Sequence, residues 1–350
     1  MKTEHLTLSS SEKIGLISNL ATMLSAGIPI LETVNSLLED VKGSQKNILE
    51  AMRSDLTQGK PIYITLAKFP MIFDKVAVNV VRASEEAGTL DVTLRDLRET
   101  TLKETEFTDK VKSSLIYPVF IVGVFLVIFL MILIVVVPKI ATVFDRLNTE
   151  LPLMTRILIL LSSSLLRYTW LIIVGLVIFL VLIIYLYKRQ RGILTGILFS
   201  LPLISHLIRE IDLTRFSRSM YLLLYSGISI TTALELASDV VIKRETKRII
   251  NLSREMLLSG KKLSEGLRAS RGYIPMIMIK LVEAGEKTGS LEKSMQDIAE
   301  YFDYQVTKTL KTITVLLEPI MLVLVGLVIG GMMVAIVAPI YGLIGRVGSR

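Results

Sequence analysis

From Tyr117-Pro118 to Val137 the chain is almost uninterruptedly apolar. A second apolar run, Trp170 to Tyr187, stops at Lys188-Arg189-Gln190-Arg191, and a third spans Val315 to Ile340. A helix needs roughly 20 apolar residues to cross a bilayer core of about 30 Å. These runs constrain the fold more than anything else in the sequence, because a spanning segment must satisfy its own backbone. Composition agrees: 51% of residues are apolar and mean hydropathy is +0.59, above the usual range of soluble domains. The second run is short, and Ile157–Leu166 upstream offers an extension into a long tilted helix. The first fifteen residues are polar, which does not fit a secretory signal peptide.

The apolar runs divide the chain into seven parts. Residues 1–116 form a first helical domain, 117–137 a first transmembrane helix, 138–168 an external loop and 169–187 a second transmembrane helix. Residues 188–314 form a second helical domain, 315–340 a third transmembrane helix and 341–350 an external tail. Basic residues near span ends face the cytoplasm. Lys103, Lys110 and Lys112 precede the first run, Lys188, Arg189 and Arg191 come after the second, and Lys308 and Lys311 precede the third. Both domains and the N-terminus are therefore expected in the cytoplasm. The tail, which carries Arg346 and Arg350 against this rule, is expected outside. Residues 1–116 carry a net charge of −2 and residues 188–314 of +7. The basic half suits anionic headgroups or an acidic protein partner. No recognition motif accompanies it, so nucleic acid is not expected.

Helix signals fill the first domain. Ser9 with Glu12 is a capping box, succeeded by Ile14, Leu16, Ile17, Leu20 and Leu24 at helical spacing up to Gly27. Pro29 opens a second helix. A third runs about 44–58 to Gly59, and a fourth from Pro61 to Phe69-Pro70. A fifth runs about 73–86 to Gly88, and a sixth from Thr89 toward the first apolar run. No stretch alternates as a strand does. The same signals return 200 residues later. Gly27 matches Gly227 at an offset of 200; Gly59 matches Gly260, Gly88 matches Gly289 and Pro118 matches Pro319 at 201. Each Gly-Thr or Gly-Ser step ends one helix in a left-handed residue and caps the next with a hydroxyl. The expected fold is thus an all-α membrane protein: two duplicated cytoplasmic six-helix bundle domains with three transmembrane helices.

Catalytic signatures are missing. Without cysteine the chain has no disulfide or thiolate chemistry, and its two histidines, His5 and His206, lie in different halves. Gly285-Glu286-Lys287-Thr288 lacks the glycine and preceding strand of a phosphate loop. No catalytic, cofactor or metal residue is expected. The candidate partner or packing residues are Glu85, Glu86 and Glu286, which lie with Glu283 at related places in the two copies and otherwise read as solvated helix ends. To these are added Glu318, an ionisable group one turn inside the third run, and the small-residue row Gly326, Gly330, Gly331. The expected turn residues are Gly27, Gly88, Gly227, Gly289, Pro118, Pro138, Pro152 and Pro319.

Three motifs carry a family resemblance. They are Leu24-Ser25-Ala26-Gly27-Ile28-Pro29-Ile30, the pair Glu85-Glu86-Ala87-Gly88-Thr89-Leu90 and Gly285 to Leu291, and Val137-Pro138-Lys139 with Glu150-Leu151-Pro152-Leu153-Met154-Thr155-Arg156. Over about residues 10–345 the chain resembles the inner-membrane platform proteins of type IV pilus and type II secretion systems. Its compactness is similar to that of the type IVb pilus group. It departs from the family where copy one has Ala83-Ser84 ahead of the glutamate and where a longer N-terminal segment is common. The resemblance implies a scaffold without cofactor that couples a cytoplasmic ATPase to pilin or pseudopilin assembly. It further implies inner-membrane assembly partners and a homo-oligomer. A small transporter or channel subunit is the competing class, but the first two runs hold no charge. A membrane-anchored signalling module is the other competitor, and it lacks kinase and receiver signatures.

Overall fold

The computed structural model describes residues 6–139, 141–142, 156, 159–160, 162–164, 167, 202–270 and 272–347. Every regular element among them is helical. The chain divides into two compact units. One comprises Met1–Lys110 with His206–Thr307, and the other Val111–Ser205 with Lys308–Arg350.

The first unit holds both copies of the repeat. In copy one, α1 (Ser10–Ser25) starts where the Ser9 N–H donates to Glu12 Oε2 (2.8 Å) and the Glu12 N–H donates to Ser9 Oγ (3.2 Å), closing the capping box. Next come α2 (Ile30–Asp40), α3 (Gly43–Thr57), α4 (Ile62–Ala67), α5 (Lys75–Ala87) and α6 (Leu90–Met131). Asp74 caps α5 by accepting from the Ala77 N–H at 2.8 Å. Copy two repeats the order: α7 (Pro202–Tyr225), α8 (Ile230–Ala237), α9 (Arg244–Leu258), α10 (Leu263–Arg268), α11 (Met276–Thr288) and α12 (Leu291–Val347). Gly88 and Gly289 both have φ near +70°, at 72° and 71°. There a side chain would be strained, so glycine is what allows α5 and α11 to turn sharply into α6 and α12.

Core positions match across the repeat. Ile48, Leu49, Ile62, Leu66, Val81, Leu94 and Leu97 are buried in copy one, and Ile249, Ile250, Leu263, Leu267, Val282, Met295 and Ile298 are buried at the same register in copy two. These residues join a single hydrophobic cluster that runs through both copies. Even a polar tie recurs with changed chemistry. Gln45 Nε2 donates to the Glu12 carbonyl (3.0 Å) in copy one, and Thr246 Oγ1 donates to the buried Asp212 carboxylate (3.1 Å) in copy two. Asp212 also accepts from the Ile242 and Lys243 N–H groups at 2.7 and 2.8 Å, although burial pushes its pKa up.

In the second unit, the apolar parts of α6 and α12 present side chains outward. Val119, Val127, Leu322 and Leu327 are each about two-thirds exposed or more. Among the described residues, the helices through Leu90–Lys139 and Leu291–Gly331 are long and apolar enough to cross a bilayer. The buried core helix of a soluble protein would hide such a surface; here almost none of either apolar stretch is covered. The expected second span at 170–187 and Pro152 lie outside the described residues.

Two expectations are corrected. Pro118 and Pro319 are not turn residues; each lies inside an unbroken helix, α6 and α12. An apolar helix accommodates proline where neighbouring groups satisfy the carbonyl it frees. Residues 341–347, the start of the expected tail, are helical and belong to α12. Pro138 is also helical, and it comes after a π-helical segment, Ile132–Val136. The Val137 N–H there donates to the Ile132 carbonyl. In this pattern the Leu133 carbonyl would accept from residue 138, but proline has no N–H. The Ser162 hydroxyl donates to it instead at 2.6 Å, and both Leu133 and Ser162 are buried. Ser162→Ala leaves that carbonyl without a donor and is expected to cost about 1–3 kcal/mol. Ser163→Ala, beside it and exposed, should be near neutral. Thermal unfolding of the two variants in one detergent compares them directly; equal melting points would show that the hydroxyl does not stabilise the segment.

Candidate functional site

Copy one has its best-built polar site where α5 ends. The Glu85 carboxylate accepts from the backbone N–H groups of Ile62 (2.6 Å) and Tyr63 (3.0 Å), the first residues of α4. In copy two the Glu286 carboxylate accepts from the Leu263 N–H (2.5 Å), the Ser264 N–H (3.4 Å) and the Ser264 hydroxyl (2.5 Å) at the start of α10. All three positions keep the offset of 201. The reason is local. Pro61 and Lys262 stand at the N-caps of α4 and α10 and supply no side-chain acceptor. The free N–H groups of a helix start need acceptors, and the positive end of the helix dipole favours a carboxylate. At Glu85, burial outweighs the amide hydrogen bonds and raises the carboxyl pKa.

Glu85 and Glu286, candidates for partner or packing contacts, each face a helix start within their own copy. Glu86 remains on the surface, 3.9 Å from Arg82. Glu283, four residues before Lys287, pairs with it at 2.8 Å and with Arg268 at 3.1 Å, and the Lys287 hydrogen bond holds its pKa down.

A second site, missed by sequence reasoning, joins the two copies. Glu104 on α6 accepts from Arg215 Nε (3.0 Å) and Arg218 Nη1 (2.7 Å) on α7. Arg218 also lies 3.7 Å from Asp303 on α12 and stacks over the Phe107 ring at 5.4 Å. Farther along, Lys75 on α5 and Lys247 on α9 both donate to Asp239 at 2.8 Å, and together they lower its pKa, Lys247 most. A cleft of about 510 Å³ opens beside the Arg218 cluster, lined by Asp96, Glu99, Lys103, Tyr221 and Glu300 among others. The signal for these residues was divergence within the repeat. Glu104 has Gln305 as its counterpart, Arg218 has Ser18, and Asp303 has Leu102.

In the second unit, Gly326, Gly330 and Gly331 face open space, where an added Cβ would meet no atom within 4 Å. The row is therefore not consumed by a contact among the described residues. Glu318 is exposed and lines a groove of about 380 Å³ with Tyr117, Phe125, Phe129, Met321 and Val325. Among the described residues, no group of three or more His, Asp or Glu side chains is arranged to hold a metal.

The two carboxylate caps are testable against a control beside them. Glu85→Ala and Glu286→Ala each remove the acceptor of a helix start and are expected to cost about 0.5–2 kcal/mol. Glu86→Ala should stay within about 0.5 kcal/mol of the parent. Chemical denaturation of the three variants gives the order; a Glu86 effect as large as the other two would mean that general surface charge, not capping, is being measured.

Comparison with known proteins places this arrangement. The family model described as "Type II secretion system (T2SS), protein F" matches twice, over residues 16–138 and 216–339, one match on each copy of the repeat. The chain is 31% identical over 335 residues to the type IV pilus assembly protein PilC of Thermus thermophilus, covering 95% of this chain and 82% of that protein. It is 26% identical over 330 residues to PilC of Myxococcus xanthus, covering 93% and 79%. It is 27% identical over 343 residues to the type II secretion system protein F of Pseudomonas aeruginosa, covering 97% and 84%. With the repeat, the helical architecture and both family matches in one register, this chain belongs to the type II secretion system protein F family.

Proposed function

We propose that the chain is the inner-membrane platform of a type IV pilus or type II secretion machine, and that it couples a cytoplasmic ATPase to the assembly of pilins or pseudopilins. The observation that carries this reading is the double family match laid on two helical copies, each ending in a helix that continues without a break into an apolar segment. Relatives covered over most of their length are named for pilus assembly and for type II secretion. In this reading each copy is a six-helix cytoplasmic domain, 1–116 and 188–314. The apolar runs at 117–137, 169–187 and 315–340 are three spans. The segment 138–168 and the tail from 341 lie in the periplasm, and the N-terminus lies in the cytoplasm.

The protein acts as a scaffold and not as an enzyme. The cytoplasmic faces are the surfaces for the ATPase. The spans serve pilins, inner-membrane assembly proteins and lipid, and several chains act together.

Affinity capture of the detergent-solubilised chain, with mass spectrometry of the co-purifying proteins, is expected to recover a secretion-type ATPase and small pilin-like proteins. Deleting both cytoplasmic copies should abolish recovery of the ATPase; undiminished recovery would overturn the assigned docking face. The open glycine row gives a separate test. Small residues let helices approach closely in lipid. Leu at Gly326, Gly330 and Gly331 together is expected to reduce pilus or secretion output while the chain still accumulates in the membrane. Unchanged output would leave the row with no contact to make.

A further inference from the structure

The two copies meet through unlike faces. Copy one offers α5 and α6, and copy two offers α7 and α8, with α12 touching α6 where Lys110 lies 3.6 Å from Asp303. Lys75 reaches Asp239, Glu104 takes Arg215 and Arg218, and Val76 lies in a cleft with Leu236 and Val240. Such a contact is heterologous, and in a duplicated fold it leaves one face of each kind unused. On copy two the unused counterpart of the α5–α6 face is apolar and open. Val76, 5% exposed, corresponds to Ile277, 40% exposed, and Lys75 to Met276, 56% exposed. Thr100 and Lys103, which line the cleft at the junction, correspond to Tyr301 and Tyr304, 38% and 65% exposed. Four large exposed side chains thus stand where their copy-one counterparts lie at or beside the junction.

On copy one the unused counterpart of the α7–α8 face is small and acidic. Arg215, Arg218 and Leu236 become Gly15, Ser18 and Ser36, while Asp239 and Val240 become the exposed Glu39 and Asp40. Lys280, exposed on α11 where copy one has Asn79, supplies the opposite charge. The net charges of the two halves, −2 and +7, favour the same pairing over long range.

We propose that a second copy of this chain docks head to tail, the α11–α12 face of one protomer (Met276, Ile277, Lys280, Tyr301, Tyr304) against the α1–α2 face of the next (Gly15, Ser18, Ser36, Glu39, Asp40). The contact repeats between protomers the one made within each chain. Apolar spans hold every chain in one bilayer, which confines successive protomers to rotations about the membrane normal, and the series forms a ring where that rotation closes. The proposal specifies the homo-oligomer of the platform reading and rests on it.

The chain has no cysteine, which makes the test clean. Two differently tagged chains are co-expressed, one with Met276→Cys and one with Glu39→Cys, the counterparts of the Lys75–Asp239 pair. Oxidation in membranes is expected to give a disulfide-linked species carrying both tags, well above either variant paired with itself. Adding Lys280→Asp to the first chain should lower the yield several-fold, and Asp40→Lys on the second should restore it. Both variants are surface changes, and an unchanged melting point checks that they fold. Native mass measurement separates two failures. Multi-chain particles without mixed-tag disulfide overturn this interface and leave the homo-oligomer standing, whereas monomers overturn both. Like-with-like crosslinking at equal yield overturns the head-to-tail arrangement in favour of a two-fold contact.

Discussion

A carboxylate on the start of a short helix holds each half of the first unit together. α4 and α10 have six residues each, too short to persist alone in water. Their initial N–H groups have no local acceptor, because Pro61 and Lys262 stand where Ser or Asp would normally cap. Glu85 and Glu286 reach back across more than twenty residues to fill that role. One carboxylate therefore fixes the short helix, the end of the next helix and the glycine turn three residues on. The buried Ile62 and Leu66, or Leu263 and Leu267, are aimed into the core as a consequence.

Duplication then allowed the copies to diverge where packing permits. In copy two α9 and α10 come so close that a Cβ on Gly266 would lie 2.7 Å from the Ser253 backbone. Copy one has Met52 and Thr65 at these positions, and Thr65 donates to the buried Asp55 at 2.8 Å, which also binds Lys60 and Lys68. The ammonium of Lys68, more than the Thr65 hydroxyl, keeps Asp55 charged and its pKa low despite burial. The counterpart of Asp55 is Met256. Likewise Gly285, where an added Cβ would collide with Ser294 Oγ, stands where copy one has the buried Ser84. Each copy keeps the backbone path with a different set of side chains. The faces that meet can then be made unlike without disturbing the fold of either.

The helices and their ends were legible because each signal acts within a few residues. Ser9 with Glu12, Gly27, Pro61 and Gly88 do locally what their types dictate, and the 200-residue register was visible in the same residues. Glu85 and Glu286 were marked by that register, yet their task was not readable, since the N–H groups they serve lie more than twenty positions away. Glu104, Arg218 and Asp303 were passed over for a related reason. Glu104 takes its partners from the other copy, Asp303 lies on a different helix from Arg218, and the repeat marks all three only by divergence. Proline misled in the opposite direction. Pro118 and Pro319 read as turns by water-soluble rules, but each is carried inside an apolar helix.

The π-helical segment shows how such a helix manages a proline. Losing the N–H of Pro138 would orphan one carbonyl in an α-helical ladder; the shift to π geometry moves the deficit to Leu133. That carbonyl is buried, so it needs a donor from the protein, and Ser162 supplies it from a distant stretch of chain. The proline here recruits a contact that a regular helix would have had no use for. The constraint that backbone groups must be satisfied therefore does in the apolar unit what Glu85 and Glu286 do in the helical one. It converts an unpaired backbone group into a long-range tie, and that tie rather than local propensity fixes which segments lie together.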